Sequence, residues 1–280
     1  MSGKVSDIMS RELVTAKVPS TIEDVVKIII QNNVTGVPIL DTSGKYIGML
    51  SRKDIFQNPG EDQTAMVMRR AKTCHPDTTI EDAAHEIVRQ GRRHVAVTDN
   101  ENVVVGMLTP QNFLDEISRL YGDMSISKLM TRKTVPIWDG TPISVVHYVT
   151  QLTGMYAFPV VNASTEFVGL ITDRDLFNRI DRESGTVVYD TGMADDEDPW
   201  TWDGIRNVVT YLIRRSNIVL PEIPASEVMI RDPVKVYLHD TVAEATRLMK
   251  EKNFNQLPVL EGHNKIAGML YDINLLEVFA

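Results

Sequence analysis

Four heptapeptides carry most of what could do chemistry in this chain: GMLSRKD from Gly48, GMLTPQN from Gly106, GLITDRD from Gly169 and GMLYDIN from Gly268. In the first and third, a hydroxyl is followed three residues later by a carboxylate, Ser51 with Asp54 and Thr172 with Asp175. A carboxylate has two acceptor oxygens and can bridge the vicinal hydroxyls of a sugar, as acids do in dinucleotide-binding folds. The hydroxyl opens a helix, where free N–H groups and the helix dipole favour an anion. Cations stand close by: Arg52 and Lys53 in the first heptad, Arg174 in the third, and Arg92, Arg93 and His94 just before a strand of the second repeat. The planar fork of arginine suits phosphate oxygens. In the second and fourth heptads Asn112 and Asn274 replace the acid, and Tyr271 replaces the hydroxyl. An amide has one acceptor and one donor group where a carboxylate has two acceptors. Thr109 remains, so a site there is expected to be weak, and one at the fourth heptad absent. Plainer readings exist for the same residues: Ser51, Thr109 and Thr172 as helix caps, and the glycines as turn residues between strands.

Covalent catalysis has little support. The six histidines show no metal-ligand spacing, and there is no P-loop, nucleophile elbow or paired-glycine fingerprint. Cys74 and His75 are adjacent in a strand-like segment, so their side chains point to opposite faces. No metal site and no catalytic function are expected. A single cysteine excludes an intramolecular disulfide and suits a reducing cytoplasm.

The elements that would position these groups recur with fixed spacing. Ile22, Ile80, Ile143 and Val242 each precede Pro38, Ala96, Pro159 and Pro258 by 16 residues, and those precede the four glycines by 10. In repeat one, Leu13-Val14-Thr15 is β-prone, and Thr21 with Asp24 forms a capping box. Ile22, Val25, Val26, Ile29 and Ile30 then make an apolar helical stripe, followed by strands at Val37–Leu40 and Tyr46–Leu50. Repeats two and four carry the same box at Thr79 with Asp82 and Thr241 with Glu244. In repeat three Thr141 is the expected cap and Pro142 the first helical residue. Each unit therefore reads β-α-β-β-α. The boundaries expected are 1–60, 61–120, 121–180 and 225–280, paired as modules 1–120 and 121–280. Between the last two repeats, 181–224 reads as an acidic loop and then a helix from Asp203, with Ile205, Val208, Val209, Leu212 and Ile213 on one face.

Charge excludes some partners. The net charge is −9, and residues 181–204 hold eight acids against one base. The repeats are close to neutral, with no basic face to displace counterions from nucleic acid. No apolar run is long enough to span a membrane.

The strands VPILD, VAVTD, FPVVN and LPVLE, each followed by its heptad, resemble the CBS (cystathionine-β-synthase) domain family. Two pairs in tandem are similar to the gamma subunit of AMP-activated protein kinase and to small archaeal proteins of four CBS repeats. The resemblance implies an α/β fold of four β-α-β-β-α repeats arranged as two pseudo-twofold Bateman modules, here with a helical insert before the last repeat. It also implies clefts between paired repeats for adenosine-containing ligands. The heptad acid and hydroxyl would hold ribose, Val14, Thr15, Gly36 and Val37 would line the base, and Arg93 and His94 would meet phosphate. The third heptad lacks cations opposite it (Asn255 and Gln256), which suits a ligand with fewer phosphates, or a sulfonium such as S-adenosylmethionine.

The expected function is regulatory: AMP, ADP or ATP binds between repeats, and occupancy is signalled to an unidentified partner protein. A homodimer is allowed for; neither membrane nor nucleic acid is expected. The alternatives are a ligand-free scaffold forming homo-oligomers and a sensor of S-adenosylmethionine.

Overall fold

Each repeat winds through a short strand, a helix, two antiparallel strands and a closing helix. A computed structural model describes residues 3–58, 60–179, 181–189, 211–262 and 264–279. Repeat one runs Ala16–Lys17, Ile22–Gln31, Gly36–Leu40, Tyr46–Ser51 and Arg52–Gln57. The long helices of the other repeats are Ile80–Gln90, Ile143–Thr153 and Val242–Lys252, followed by strand pairs beginning at Val95, Ala157 and Gln256. The short strand lies parallel to the first long one, Ala16↔Ile39, Ile137↔Val160 and Val236↔Val259, and repeat two keeps a single bridge, Cys74↔Val97. Parallel neighbours need a crossover, which the helix supplies. The short strand of repeat one falls at Ala16–Lys17 rather than at Leu13-Val14-Thr15, because pairing with Ile39 and Leu40 fixes its register.

Local chemistry explains the helices. Thr21 N–H donates to Asp24 Oδ2 at 3.0 Å, and Asp24 N–H donates to Thr21 Oγ1 at 3.2 Å, closing the expected box. Thr79 and Thr241 accept from the N–H of Asp82 and Glu244 as expected, but the return bond that would close a box is not made at either helix. In repeat three the helix starts one residue later than expected: Pro142 is the N-cap, and no side chain closes the turn.

The heptad glycines are not turn residues. They lie inside the second long strand, where a foreign backbone crosses. A Cβ on Gly48 would lie 2.8 Å from the Arg69 carbonyl oxygen, and one on Gly169 would lie 2.9 Å from that of Ile230. Only glycine admits so close an approach.

Those crossing backbones belong to segments that lead into each repeat, and each pair of repeats exchanges them. Residues before repeat one bridge to repeat two (Lys4↔Thr79, Ser10↔Met107), while residues before repeat two bridge to repeat one (Thr21↔Gln63, Met49↔Arg69). Repeats three and four trade likewise, through Ser125↔Thr241 and Thr131↔Met269 in one direction, and Pro142↔Pro224 and Ile230↔Leu170 in the other.

Within a pair the sheets meet over small apolar clusters: Tyr46, Met49 and Ala96 in module one, and Ala157, Leu170, Met269 and Tyr271 in module two. The two large cores instead cross between modules. One joins repeats one and three (Ile22, Phe56, Ile143, Phe177), and the other joins repeats two and four (Ile87, Phe113, Val242, Leu275).

The insert differs from expectation. Tyr211–Val219 is a strand antiparallel to Asp181–Tyr189, in register from Tyr211↔Tyr189 to Val219↔Asp181. Leu212 and Ile213 therefore belong to an antiparallel strand pair, not to an amphipathic helix, and residues 181–189 are extended rather than a loop; the acidic residues after 189 lie outside the described residues. Val187, Val188 and Tyr189 are in register with Ile213, Leu212 and Tyr211, and β-branched and aromatic residues favour the pleated conformation. Asp203, Ile205, Val208 and Val209 lie outside the described residues.

Candidate functional site

The heptad builds a helix start that is also a polar pocket wall. Ser51 is the N-cap of Arg52–Gln57, and its N–H and Oγ donate to Asp54 Oδ2 at 3.0 and 2.7 Å. The capping box thus uses one carboxylate oxygen. The other, Oδ1, is 2.6 Å from Arg69 Nε and 3.5 Å from Arg92 Nη1. Among the described residues neither is an in-line hydrogen-bond donor to it, although Asp54 is only 1% exposed. Asp54 is therefore a buried carboxylate, ion-paired through Oδ1 and able to accept a further, better aligned hydrogen bond there.

The surroundings carry excess positive charge. A cavity of about 160 Å³ is lined by Ser51, Lys53, Asp54, Arg92, Arg93 and His94, together with Thr35, Met49, Gly91, Tyr156, Asp173 and Ile273. Burial, and then the neighbouring Arg92, push the Lys53 ammonium below its ordinary value. The His94 pKa is pushed down to about 3 by burial and by Arg93, Arg52 and Arg92, so the ring is neutral, with Nε2 2.5 Å from Thr35 Oγ1. Gly91, at φ +60°, ends the helix in the left-handed region and turns Arg92 to His94 toward the cleft.

Two of the expected phosphate ligands are already engaged across the modules. Arg93 donates to Asp272 through Nε at 3.1 Å and Nη2 at 2.6 Å. Burial opposes its charge, but Asp272 outweighs that and holds its pKa above the ordinary value. Arg52, 5% exposed, has Nε 3.2 Å from Asp173 Oδ2 and does not line the cavity. Lys53 and Arg92 line the cavity with Asp54, while Arg69 does not line it and reaches Asp54 through its ion pair.

A second cavity, about 350 Å³, gathers Val14, Gly36, Thr109, Asn112 and Arg174, and shares Arg93 and His94 with the first. Val14 and Gly36 thus face the second heptad, not Asp54. Each cleft takes its heptad from one repeat and its pre-strand residues from the other, because the pair is pseudo-twofold. Val37 is fully buried in the core, and Thr15, Thr172 and Asp175 line neither cavity.

The amide heptads are closed brackets. Asn112 Oδ1 accepts from Thr109 N–H and Oγ1, while its Nδ2 donates to the Ile8 carbonyl and to Ser10 Oγ. Asn274 accepts from Tyr271 N–H and Thr131 Oγ1 and donates to Glu277. Asp175 takes its box bonds from Thr172 at 2.8 and 2.7 Å, and burial foremost pushes its pKa up.

Sequence reasoning missed Arg69, Thr35, Tyr156, Asp173 and Asp272. A signal for Arg69 was present: Met9, Met68, Met130 and Met229 stand 39, 38, 39 and 39 residues ahead of the four glycines, and Arg69 follows the second of them. Burial pushes the Cys74 thiol up to about 11, so it stays protonated and a poor nucleophile. Among the described residues no cluster of His, Cys, Asp and Glu could hold a metal ion, and no helix is long and apolar enough to cross a membrane.

Comparison with known proteins agrees with this architecture. Protein MJ1225 of Methanocaldococcus jannaschii, proposed as an archaeal homologue of g-AMPK, superposes with a TM-score of 0.78 at 17% identity, over 99% of this chain and 100% of that one. A conserved protein from Pyrococcus horikoshii gives 0.65 at 23% identity, over 99% and 100%. Protein MJ1404 of M. jannaschii is 20% identical over 99% of this chain, which spans 62% of that relative's length. The family model for the CBS domain matches residues 5–60, 65–119, 126–182 and 225–280. With four such units over most of its length, the chain belongs to the CBS domain family.

Proposed function

We propose that this chain is a regulatory protein whose principal ligand is a phosphorylated adenosine, with AMP, ADP and ATP the first candidates, bound in the module-one cleft around Asp54. The observation that carries this reading is the buried carboxylate of Asp54, ion-paired with Arg69 and Arg92 but with no in-line donor to Oδ1 among the described residues, in a cavity that Lys53 also lines. A ribose diol would donate to Asp54, and a phosphoryl group would supply the negative charge that Lys53 lacks. The cavity is smaller than the roughly 300–1,000 Å³ usual for drug-sized ligands, so the polar end fills it while the base lies toward the mouth. Because the walls come from both modules, a bound ligand favours one packing of the modules over another. Its effect on a partner equals its differential affinity for the two states.

Calorimetry with AMP, ADP, ATP, NAD and S-adenosylmethionine tests the reading. At least one phosphorylated adenosine should bind at one site per chain, and Asp54→Ala and Arg69→Ala should each weaken it about tenfold or more. Flat titrations throughout, with a defined homo-oligomer in light scattering, would select the scaffold alternative instead.

A further inference from the structure

The module-one cleft is closed on one side by module two, through Tyr156 and Asp173 of repeat three and Ile273 of repeat four. Tyr156 stands just before the strand Ala157–Val161, at the place Arg93 holds in repeat two. Its ring is well held: the Tyr271 ring centroid is 4.9 Å away, and the Arg93 guanidinium lies 5.5 Å from its own centroid. Its hydroxyl is not. The oxygen is buried and has no hydrogen-bond partner among the described residues. Burial also pushes the phenol's pKa well up, so it keeps its proton and remains a donor.

A buried hydroxyl left unpaired is costly, and the ring contacts would be equally well made by phenylalanine. Packing therefore explains the ring and leaves the oxygen unexplained. Across the same cavity Asp54 Oδ1, from the opposite module, is ion-paired with Arg69 but accepts no in-line hydrogen bond among the described residues. One wall thus has an acceptor with hydrogen-bonding capacity left, and the other a donor without a partner. A ligand with donating sugar hydroxyls and an accepting phosphoryl group completes both.

We propose that Tyr156 is a ligand-binding residue, donating its phenolic proton in a hydrogen bond to a phosphoryl oxygen of the molecule held by Asp54, so that one ligand is gripped by both modules. This rests on the reading of the cleft given above. It assigns the phosphoryl contact to module two and makes the ligand a strut between modules.

The test compares Tyr156→Phe with the parent and with Asp54→Ala, in the full chain, using AMP and adenosine as probes. Tyr156→Phe should unfold at the same or a higher temperature without ligand, since it removes an unpaired polar atom. It should bind AMP about tenfold more weakly and adenosine as the parent does. If Tyr156→Phe binds AMP within twofold of the parent while Asp54→Ala abolishes binding, the Tyr156 assignment is overturned and the cleft stands. An equal loss for adenosine and AMP overturns the phosphoryl assignment. If Asp54→Ala also binds as the parent does, or the parent binds neither probe, the reading of the cleft falls and this inference with it.

Discussion

Asp54 and Asp175 occupy the same heptad position and close the same capping box, yet they live in different electrostatic worlds. The residue that follows the lead-segment methionine decides it. In module one that residue is Arg69, 2.6 Å from Asp54. In module two it is Ile230, 42% exposed, which offers Asp175 no charge. The pre-strand residues reinforce the contrast, with Arg93 and His94 in repeat two against Asn255 and Gln256 in repeat four. A repeated motif thus fixes a local turn, while its chemistry is set by a segment of chain reaching in from elsewhere.

The largest effect expected concerns whether the two clefts can be studied apart. Chains 1–120 and 121–280 made separately should not yield a folded monomer, because each bares the faces of both large cores. Light scattering with thermal unfolding checks this, and a monomeric half melting like the parent would refute the crossed cores. The next contrast is a single change with opposite signs. Asp54→Asn strips the counter-charge from Arg69 and Arg92 and should destabilise by about 1–3 kcal/mol, the lower part of the range reflecting the half-exposed Arg69. Asp175→Asn removes a carboxylate whose folded pKa is raised by burial and should stabilise by roughly 1 kcal/mol near neutral pH. Its advantage should vanish below the ordinary carboxylate range and grow as the pH rises through the raised value. Denaturant midpoints at two pH values read both. Equal signs would mean the two acids are equivalent after all.

The last effect is a slope, small near neutral pH. His94 is neutral in the fold with a pKa of about 3, against an ordinary value near 6.5. The unfolded chain therefore binds the extra proton, and stability should fall as the pH drops from about 6.5 toward 3. His94→Gln gives module one the residue that repeat four carries at the same place, and its melting temperature should decline less steeply over that window. An unchanged slope would show that His94 is not the group responsible.

Much of the repeat was legible because it is local. The helix caps of Thr21, Thr79 and Thr241 need only neighbours three residues away, and the apolar stripes need only one helix. Partners supplied by tertiary packing were not legible. Arg52 and Asp173 hold the same heptad position in different repeats, and nothing in either heptad says that they face one another across modules. Arg93 looked free for phosphate because Asp272 lies 179 residues away. The helix expected over Leu212 and Ile213 rested on a short run of spaced apolar residues. Such a run also suits a strand, and pairing with residues 181–189 decided the outcome.

The traded lead segments have a consequence for how the protein is born. Residues 4–10 cannot settle until Thr79 and Met107 have left the ribosome, about 100 residues later and, at ordinary elongation rates, several seconds on. Meanwhile repeat one, although fully synthesised, still lacks the strip of backbone that covers Gly48. Nascent chains should therefore acquire protease resistance late, once the second pair has emerged and both shared cores can close, and deleting any single repeat would leave two units unfinished.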